Sequence, residues 1–152
     1  MSVKQLSAFV ENKPGKVMDL LKLLSHDNIN IRAMSIADTM DFGILRLIVS
    51  DTHKAKESLS HESLVTVTDV IAAKMNDEAG ALYEILTVLK DANINIEYMY
   101  AFTASDESGA YVVMRVDNNE AAEKALHDDG IITLTEDSIK NIWFINQKNN
   151  RK

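Results

Sequence analysis

The chain contains no cysteine and only one proline among its 152 residues. A protein without cysteine forms no disulfide, carries no thiolate nucleophile and holds no metal through sulfur, which is compatible with a reducing compartment. No apolar run approaches the roughly 20 residues of a membrane span, and the first residues lack the pattern of a signal peptide. We therefore expect a cytoplasmic protein that makes no contact with a membrane.

Basic residues are scarce relative to acidic ones. The chain has 16 Lys and Arg against 23 Asp and Glu, which gives a formal net charge of -7. Proteins that bind DNA or RNA usually carry a basic stripe that neutralises phosphates. The only basic cluster here, QKNNRK at residues 147–152, is short and terminal. The composition therefore argues against a nucleic-acid partner.

Glycine is also rare, and its distribution reveals a duplication. The segment NKPGKVMDLLKLLSHDNINIRAM (residues 12–34) recurs as DEAGALYEILTVLKDANINIEYM (residues 77–99), so that Gly15 falls on Gly80 with an offset of 65. Beyond this segment, one inserted residue would bring Gly43 onto Gly109. A copy of about 60 to 70 residues is marginal alone, because it buries only about 60% of the surface of its unfolded chain. The two copies are therefore expected to pack together.

Both copies predict the same order of elements. Period-two alternation indicates strands, and apolar residues spaced three and four apart indicate helices. The order βαββαβ is that of a ferredoxin-like unit with both helices on one face of an antiparallel sheet, so we predict an α+β fold with two such units. The predicted strands are 5–10, 29–37, 44–49 and 64–67 in the first copy and 70–75, 94–102, 110–116 and 131–135 in the second; the helices are 17–24, 54–59, 82–89 and 120–126.

These elements divide the chain into a first domain at 1–68, a second at 69–136 and a C-terminal extension at 137–152. The extension has no counterpart in the first copy. Its apolar run, Ile142-Trp143-Phe144-Ile145, is expected to cover an exposed edge or to join a dimer contact.

The repeated motifs resemble a known family. A βαββαβ unit whose first turn holds a glycine that opens a helix, and whose helix is followed by Asn-Ile-Asn-Ile, resembles the ACT domain, a small-molecule sensor module of amino-acid metabolism. The resemblance covers nearly all of residues 4–135, twice over, and the runs TDVIAAKM and NINIEYMYAF are similar to those of stand-alone tandem ACT proteins. It implies a homodimeric sensor that binds a free amino acid between the first turn of one unit and the second strand of its neighbour.

The chemistry of an amino-acid ligand explains which residues we expect to bind it. A helix N-terminus with free backbone N–H groups suits a carboxylate, and a glycine lets the backbone approach the ligand closely. Asparagine and aspartate side chains can accept hydrogen bonds from the ammonium group. The predicted ligand-binding residues are Asn12, Pro14, Gly15, Val17 and Asn30 in the first copy and Asn76, Asp77, Gly80, Leu82 and Asn95 in the second.

Several of these residues also have purely structural explanations. The glycines can serve the turn alone, and Asn30 and Asn95 can cap the edge of a sheet. Asn28 and Asn93 are expected to satisfy helix C-terminal carbonyls rather than a ligand. The two sites are not predicted to be equivalent, because the acidic Asp77 in the second copy either favours a ligand with extra positive charge or leaves that site degenerate.

Catalytic motifs are missing from the sequence. The four histidines show neither H-x-x-x-H nor H-E-x-x-H spacing, and there is no nucleophile elbow or Gly-rich phosphate loop. An acylphosphatase-like enzyme of this topology needs an arginine in its first loop, and neither first loop has one. We therefore predict a regulatory protein with no enzymatic activity, no cofactor and no metal. Its output is expected to reach a partner enzyme of amino-acid metabolism; the alternative is a free regulatory subunit or protein-interaction module without a ligand of its own.

Overall fold

The structure is a computed structural model that describes residues 2–38, 40–103 and 109–139. The chain divides into two compact units with the boundary between Thr68 and Asp69. We call residues 4–68 the first unit; the second unit comprises residue 69 onward together with residues 2 and 3.

The first unit is a three-stranded antiparallel arrangement covered by two helices. The central strand pairs with both of its neighbours. Alternate residues of the strands and one face of each helix form a single buried cluster, which includes Leu6, Leu47, Leu24 and Leu59. Both helices therefore pack on the same face. The elements are β1 (Val3–Glu11), α1 (Lys16–His26), β2 (Ile31–Asp38), β3 (Phe42–Val49) and α2 (Thr52–Ser60).

The second unit repeats this arrangement with its own core. The strand that follows its second connection lies between the other two and is antiparallel to both. Ile71, Met114, Leu89 and Leu126 belong to one buried cluster that joins strands and helices. The elements are β4 (Val65–Met75), α3 (Ala81–Asp91), β5 (Ile96–Thr103), β6 (Ala110–Val116) and α4 (Asn119–Asp128). The predicted α+β fold with two ferredoxin-like units is confirmed.

Two predicted strands form one continuous element. The sequence analysis separated strands at 64–67 and 70–75, whereas β4 runs without interruption from Val65 to Met75. The intervening Thr68 and Asp69 include neither glycine nor proline. Because nothing in this dipeptide breaks an extended backbone, the strand continues through the boundary between the units.

The last predicted strand, at 131–135, was wrong. The structure has only an isolated bridge between Ala73 and Thr133 there. The chain turns helical at residues 136–139, and Thr135 caps this turn through reciprocal hydrogen bonds with Ser138. The capping residue leaves the strand early, so the pairing ends. The apolar run 142–145 of the predicted extension lies outside the described residues.

The proposed equivalence of Gly43 and Gly109 was also wrong. Met34 lies opposite Leu47 in the first unit, and its counterpart Met99 lies opposite Met114 in the second. The offset between the copies is therefore 67 in these strands, because 114 minus 47 is 67. Two residues, rather than one, are inserted in the second hairpin.

Within the described part of the chain, no helix combines the length and the apolar character that crossing a membrane requires.

Candidate functional site

The turn that precedes α1 is held by short backbone hydrogen bonds. The N–H of Asn12 donates to the carbonyl of Asp41 at 3.1 Å, which ties the turn to the β2–β3 hairpin. Lys13 Nζ lies 3.1 Å from a carboxylate oxygen of Glu11. This hydrogen bond and charge, together with the nearby charge of Lys16, hold the pKa of Glu11 below its usual range. The turn is exposed, yet its backbone is well defined by these partners.

Each of the two repeated helices begins at a glycine in a left-handed conformation. Gly15 has φ +83° at the N-cap of α1, and no side chain caps this helix. In the helical turn that follows, Val17 and Met18 have backbone N–H groups with no acceptor among residues 2–38, 40–103 and 109–139. Free N–H groups at a helix N-terminus favour an anion.

The second unit reproduces this geometry. Gly80 has φ +91° at the N-cap of α3, again without a side-chain cap. The N–H groups of Leu82 and Tyr83 have no acceptor within the described ranges. Both units therefore present two free N–H groups at the first turn of a helix.

A cavity lies beside each of these helical turns. Both cavities are bounded by the end of a strand, the first turn of the following helix and the loop after the unit's other helix. The cavity in the second unit, the α3 cavity, has a volume of about 350 Å³. The corresponding α1 cavity has about 230 Å³. The α3 cavity is lined by Lys74, Met75, Asn76, Ala81, Glu84, Ile85, Asp129, Gly130, Ile131 and Ile132; the α1 cavity is lined by Phe9, Val10, Glu11, Lys16, Asp19, Leu20, Glu62, Ser63 and Leu64.

The structure brings some of the predicted site residues together and separates others. The turn residues and first helical residues of each copy lie beside one another, and Asn76 lines the α3 cavity. Asn30 lies instead beyond the C-terminus of α1, where it lines a third cavity of about 240 Å³. Because α1 has 11 residues, about 16 Å of helix separates this end from the Gly15 turn. The predicted residues near the turns are Asn12, Pro14, Gly15 and Val17 in the first unit and Asn76, Asp77, Gly80 and Leu82 in the second.

The backbones of Asn30 and Asn95 have equivalent partners. The carbonyl of Asn30 accepts from the N–H of Ser50 at 2.9 Å, and its own N–H donates to the Ser50 hydroxyl at 3.0 Å. Asn95 exchanges the same two bonds with Asp117, both at 3.1 Å. The side-chain amides of both asparagines have no hydrogen-bond partner among the described residues. The backbone thus closes the end of the strand pair and leaves each amide available.

Asn28 and Asn93 complete the helix ends. They are the non-glycine residues with positive φ within the described ranges, at 58° and 56°. The next residue in each copy, Ile29 or Ile94, donates its N–H to Leu24 or Leu89 at 2.9 Å. This pattern is a Schellman motif, in which a left-handed residue lets the chain satisfy the last helical carbonyls.

Sequence reasoning missed the charged residues of the α3 cavity. Lys74, Glu84 and Asp129 line it, and none of their side chains has a hydrogen bond or ion pair within the described part of the chain. One signal was available, because an acidic residue occupies the same position of both helices, Asp19 and Glu84. The contribution of Asp129 had no local signal, since it lies far along the chain from the turn. The described residues contain no group of three or more His, Asp or Glu side chains arranged to hold a metal ion.

Comparisons with known proteins agree with this architecture. The chain matches the family described as ACT domain pair over residues 1–143. The crystal structure of protein BT0572 from Bacteroides thetaiotaomicron is 37% identical, covers 92% of this chain and 96% of its own, and has a TM-score of 0.85.

More distant structures share the fold. The ligand-free regulatory subunit of aspartate kinase from Thermus thermophilus is 14% identical over 84% of this chain and 93% of its own, with a TM-score of 0.61. The corresponding subunit from Thermus flavus is 14% identical over 84% of this chain and 92% of its own, with a TM-score of 0.60. No curated protein matches the chain.

Proposed function

This chain belongs to the ACT domain pair family, and from that premise we propose that it is a regulatory protein that binds a free amino acid. The observation that carries the proposal is the pairing of two free N–H groups with a cavity at the first turn of a helix, found once in each unit.

The geometry suits both ends of an amino acid. The two N–H groups supply donors, and the positive end of the helix dipole adds a favourable field for the ligand carboxylate. An acidic side chain lines each cavity from the same helical turn, Asp19 in one unit and Glu84 in the other. Such a carboxylate is the natural acceptor for an ammonium group. One helical turn therefore offers partners of both signs.

Binding alone is proposed, without a catalytic step. A ligand regulates only if it has different affinities for two states of the protein. We propose that the output reaches an enzyme of amino-acid metabolism, as the names of aspartate kinase regulatory subunits with this fold suggest by analogy. The identity of that enzyme is a matter for affinity capture in the presence and absence of the ligand.

The proposal includes a homodimer. Met34 and Ile36 lie on β2, opposite the core residues Leu47 and Leu45, yet their side chains are 48% and 51% exposed. Exposed apolar side chains on an outer strand favour association. The free amides of Asn30 and Asn95 are then proposed to reach a ligand held at the turn of a second copy. Light scattering after size exclusion tests the dimer, and Met34→Lys is expected to weaken it.

A ligand screen tests the proposed function. The purified protein is heated with each of the twenty amino acids in turn, and hits are confirmed by calorimetry. A ligand specific for the folded state stabilises it by roughly 2.7 kcal/mol at a hundred times its dissociation constant, so one or a few amino acids should raise the melting temperature clearly. A flat response across all twenty would overturn the proposal and favour a protein-interaction module without a ligand.

A further inference from the structure

The α1 and α3 cavities are built at equivalent places but differ at three positions. The N–H of Phe9 donates to the carbonyl of Leu64 at 3.1 Å, and that of Lys74 donates to Ile132 at 2.8 Å, so these pairs correspond. In the same alignment, Lys16 and Glu62 of the α1 cavity are replaced in the α3 cavity by smaller residues. Phe9 is replaced by Lys74, Lys16 by Ala81 and Glu62 by Gly130.

These replacements account for the different volumes. Two long charged side chains border the α1 cavity, which has about 230 Å³, while a methyl group and a hydrogen stand in their places around the α3 cavity of about 350 Å³. Small-molecule sites usually have roughly 300 to 1,000 Å³. Only the α3 cavity lies in this range, so the copies differ in their capacity for a ligand.

The α3 cavity also has an unbalanced set of charges. Lys74 contributes one positive charge, and Glu84 and Asp129 contribute two negative ones. None of these three side chains has a partner within the described ranges. The free N–H groups of Leu82 and Tyr83 begin the same helix. The cavity therefore offers donors for one carboxylate and acceptors for two cations.

We propose that the α3 cavity alone binds the ligand, and that this ligand is an amino acid whose side chain carries a second positive charge. The inference rests on the proposed function and specifies its site and ligand class. Lys74 and the two N–H groups hold the α-carboxylate. Glu84 and Asp129 hold the α-ammonium group and the side-chain cation. A ligand of net charge +1 neutralises the three cavity charges, which sum to -1.

The apolar lining agrees with this ligand class. Met75, Ile85 and Ile131 line the same cavity as the charged groups. A lysine-like ligand carries a methylene chain between its two charged ends, and such a chain gains by contact with apolar surface. Charged groups at the ends and an apolar stretch between them match a long cationic side chain.

Isothermal titration with matched ligands tests the charge requirement. L-lysine is compared with L-norleucine, which keeps the methylene chain but lacks the terminal ammonium, and L-arginine with L-citrulline. We expect at least one cationic amino acid to bind with one site per chain. Its neutral counterpart should bind at least about tenfold more weakly, because a hydrogen-bonded charge pair is lost.

Matched variants test the location. Glu84→Gln and Asp129→Asn should each weaken binding by about tenfold or more, since each removes one carboxylate partner of a cation. Asp19→Asn, at the equivalent position of α1, should leave the affinity within about twofold. All three side chains are exposed, so thermal melts are expected to report folded proteins.

The outcomes separate this inference from the function on which it rests. Binding of neutral amino acids in preference to cationic ones, two sites per chain, or a loss of affinity in Asp19→Asn alone would each overturn the inference while leaving an amino-acid sensor in place. Absence of binding by any amino acid would overturn both.

Discussion

Gly15 and Gly80 hold the same left-handed backbone conformation, with φ +83° and +91°, at the N-caps of α1 and α3. A Cβ atom at either position would meet no atom within 4 Å. Space is therefore available for a side chain, and the backbone conformation is what requires glycine. The duplication has kept a turn geometry that most residues adopt only under strain.

Replacing Gly80 with alanine should reduce both stability and affinity. The left-handed conformation costs a residue with a Cβ roughly 1–2 kcal/mol, part of which the reduced freedom of the unfolded chain offsets. Urea unfolding should therefore show a loss of about 1 kcal/mol for Gly80→Ala and for Gly15→Ala alike. A turn that relaxes at Gly80 also moves the N–H groups of Leu82 and Tyr83.

The two glycine variants act as controls for each other. Because the ligand is proposed to bind beside α3, calorimetry should show weaker binding for Gly80→Ala and unchanged binding for Gly15→Ala. Equal affinity in the two variants would contradict the assignment of the site to the second unit.

Asn93 should tolerate glycine better than alanine. Its φ of 56° lies in the left-handed region, where asparagine is one of the few side chains found regularly. Asn93→Ala should lose about 1 kcal/mol of unfolding free energy, while Asn93→Gly should be neutral or slightly stabilising. The equivalent pair at Asn28 should give the same order. An alanine variant as stable as the glycine variant would contradict the Schellman geometry.

Acid should weaken the first unit through Asp27. A hydrogen bond from Ser58, with a second contribution from His26, holds the pKa of Asp27 below its ordinary value. A depressed pKa stabilises the folded state above the unfolded carboxyl pKa of about 3.9, and this stabilisation disappears as the pH falls through the lower, folded pKa.

The pH dependence of urea unfolding measures this contribution. Between about pH 5 and pH 2 the wild type should lose stability more steeply than Asp27→Asn, and Ser58→Ala should lie between them. Parallel curves for the wild type and Asp27→Asn would show that this carboxylate has the same pKa in both states.

The second helix of each unit depends on a side-chain cap. Asp51 accepts the N–H of Lys54 at 3.0 Å, and Asn118 accepts that of Ala121 at 3.0 Å. Loss of such a cap costs typically about 1 kcal/mol. Asn118→Ala should therefore lower the melting temperature, whereas Asn118→Asp should restore it, since aspartate is the natural cap at the equivalent position. A melting temperature unchanged by alanine would contradict this role.

Elements with strong local periodicity could be predicted from the sequence. The helical faces around Leu20 and Ile85 and the strand alternation of β1 were read correctly, because burial of one face imposes a period on the residues themselves. The duplication then supplied a second, independent reading of the same fold. The end of the last predicted strand was missed, because Thr135 obeys its capping bonds to Ser138 rather than the alternation before it.

The candidate site was less accessible to sequence reasoning. Gly80 and the helix N-terminus were predicted from a local motif. Asp129 and Gly130 belong to the loop after α4, and only the folded chain brings them to the end of β4. Asn30 was grouped with the Gly15 turn by family resemblance, although α1 separates them in the unit. Distances of this kind depend on tertiary structure, which a repeat pattern does not encode.

The most direct test of an amino-acid site beside α3 is a titration of the isotopically labelled protein, followed through its backbone amide resonances. The account predicts that the amides of Leu82 and Tyr83 shift saturably as a cationic amino acid is added, while those of Val17 and Met18 remain in place. Saturable shifts confined to other parts of the chain, or no shifts with any amino acid, would contradict it.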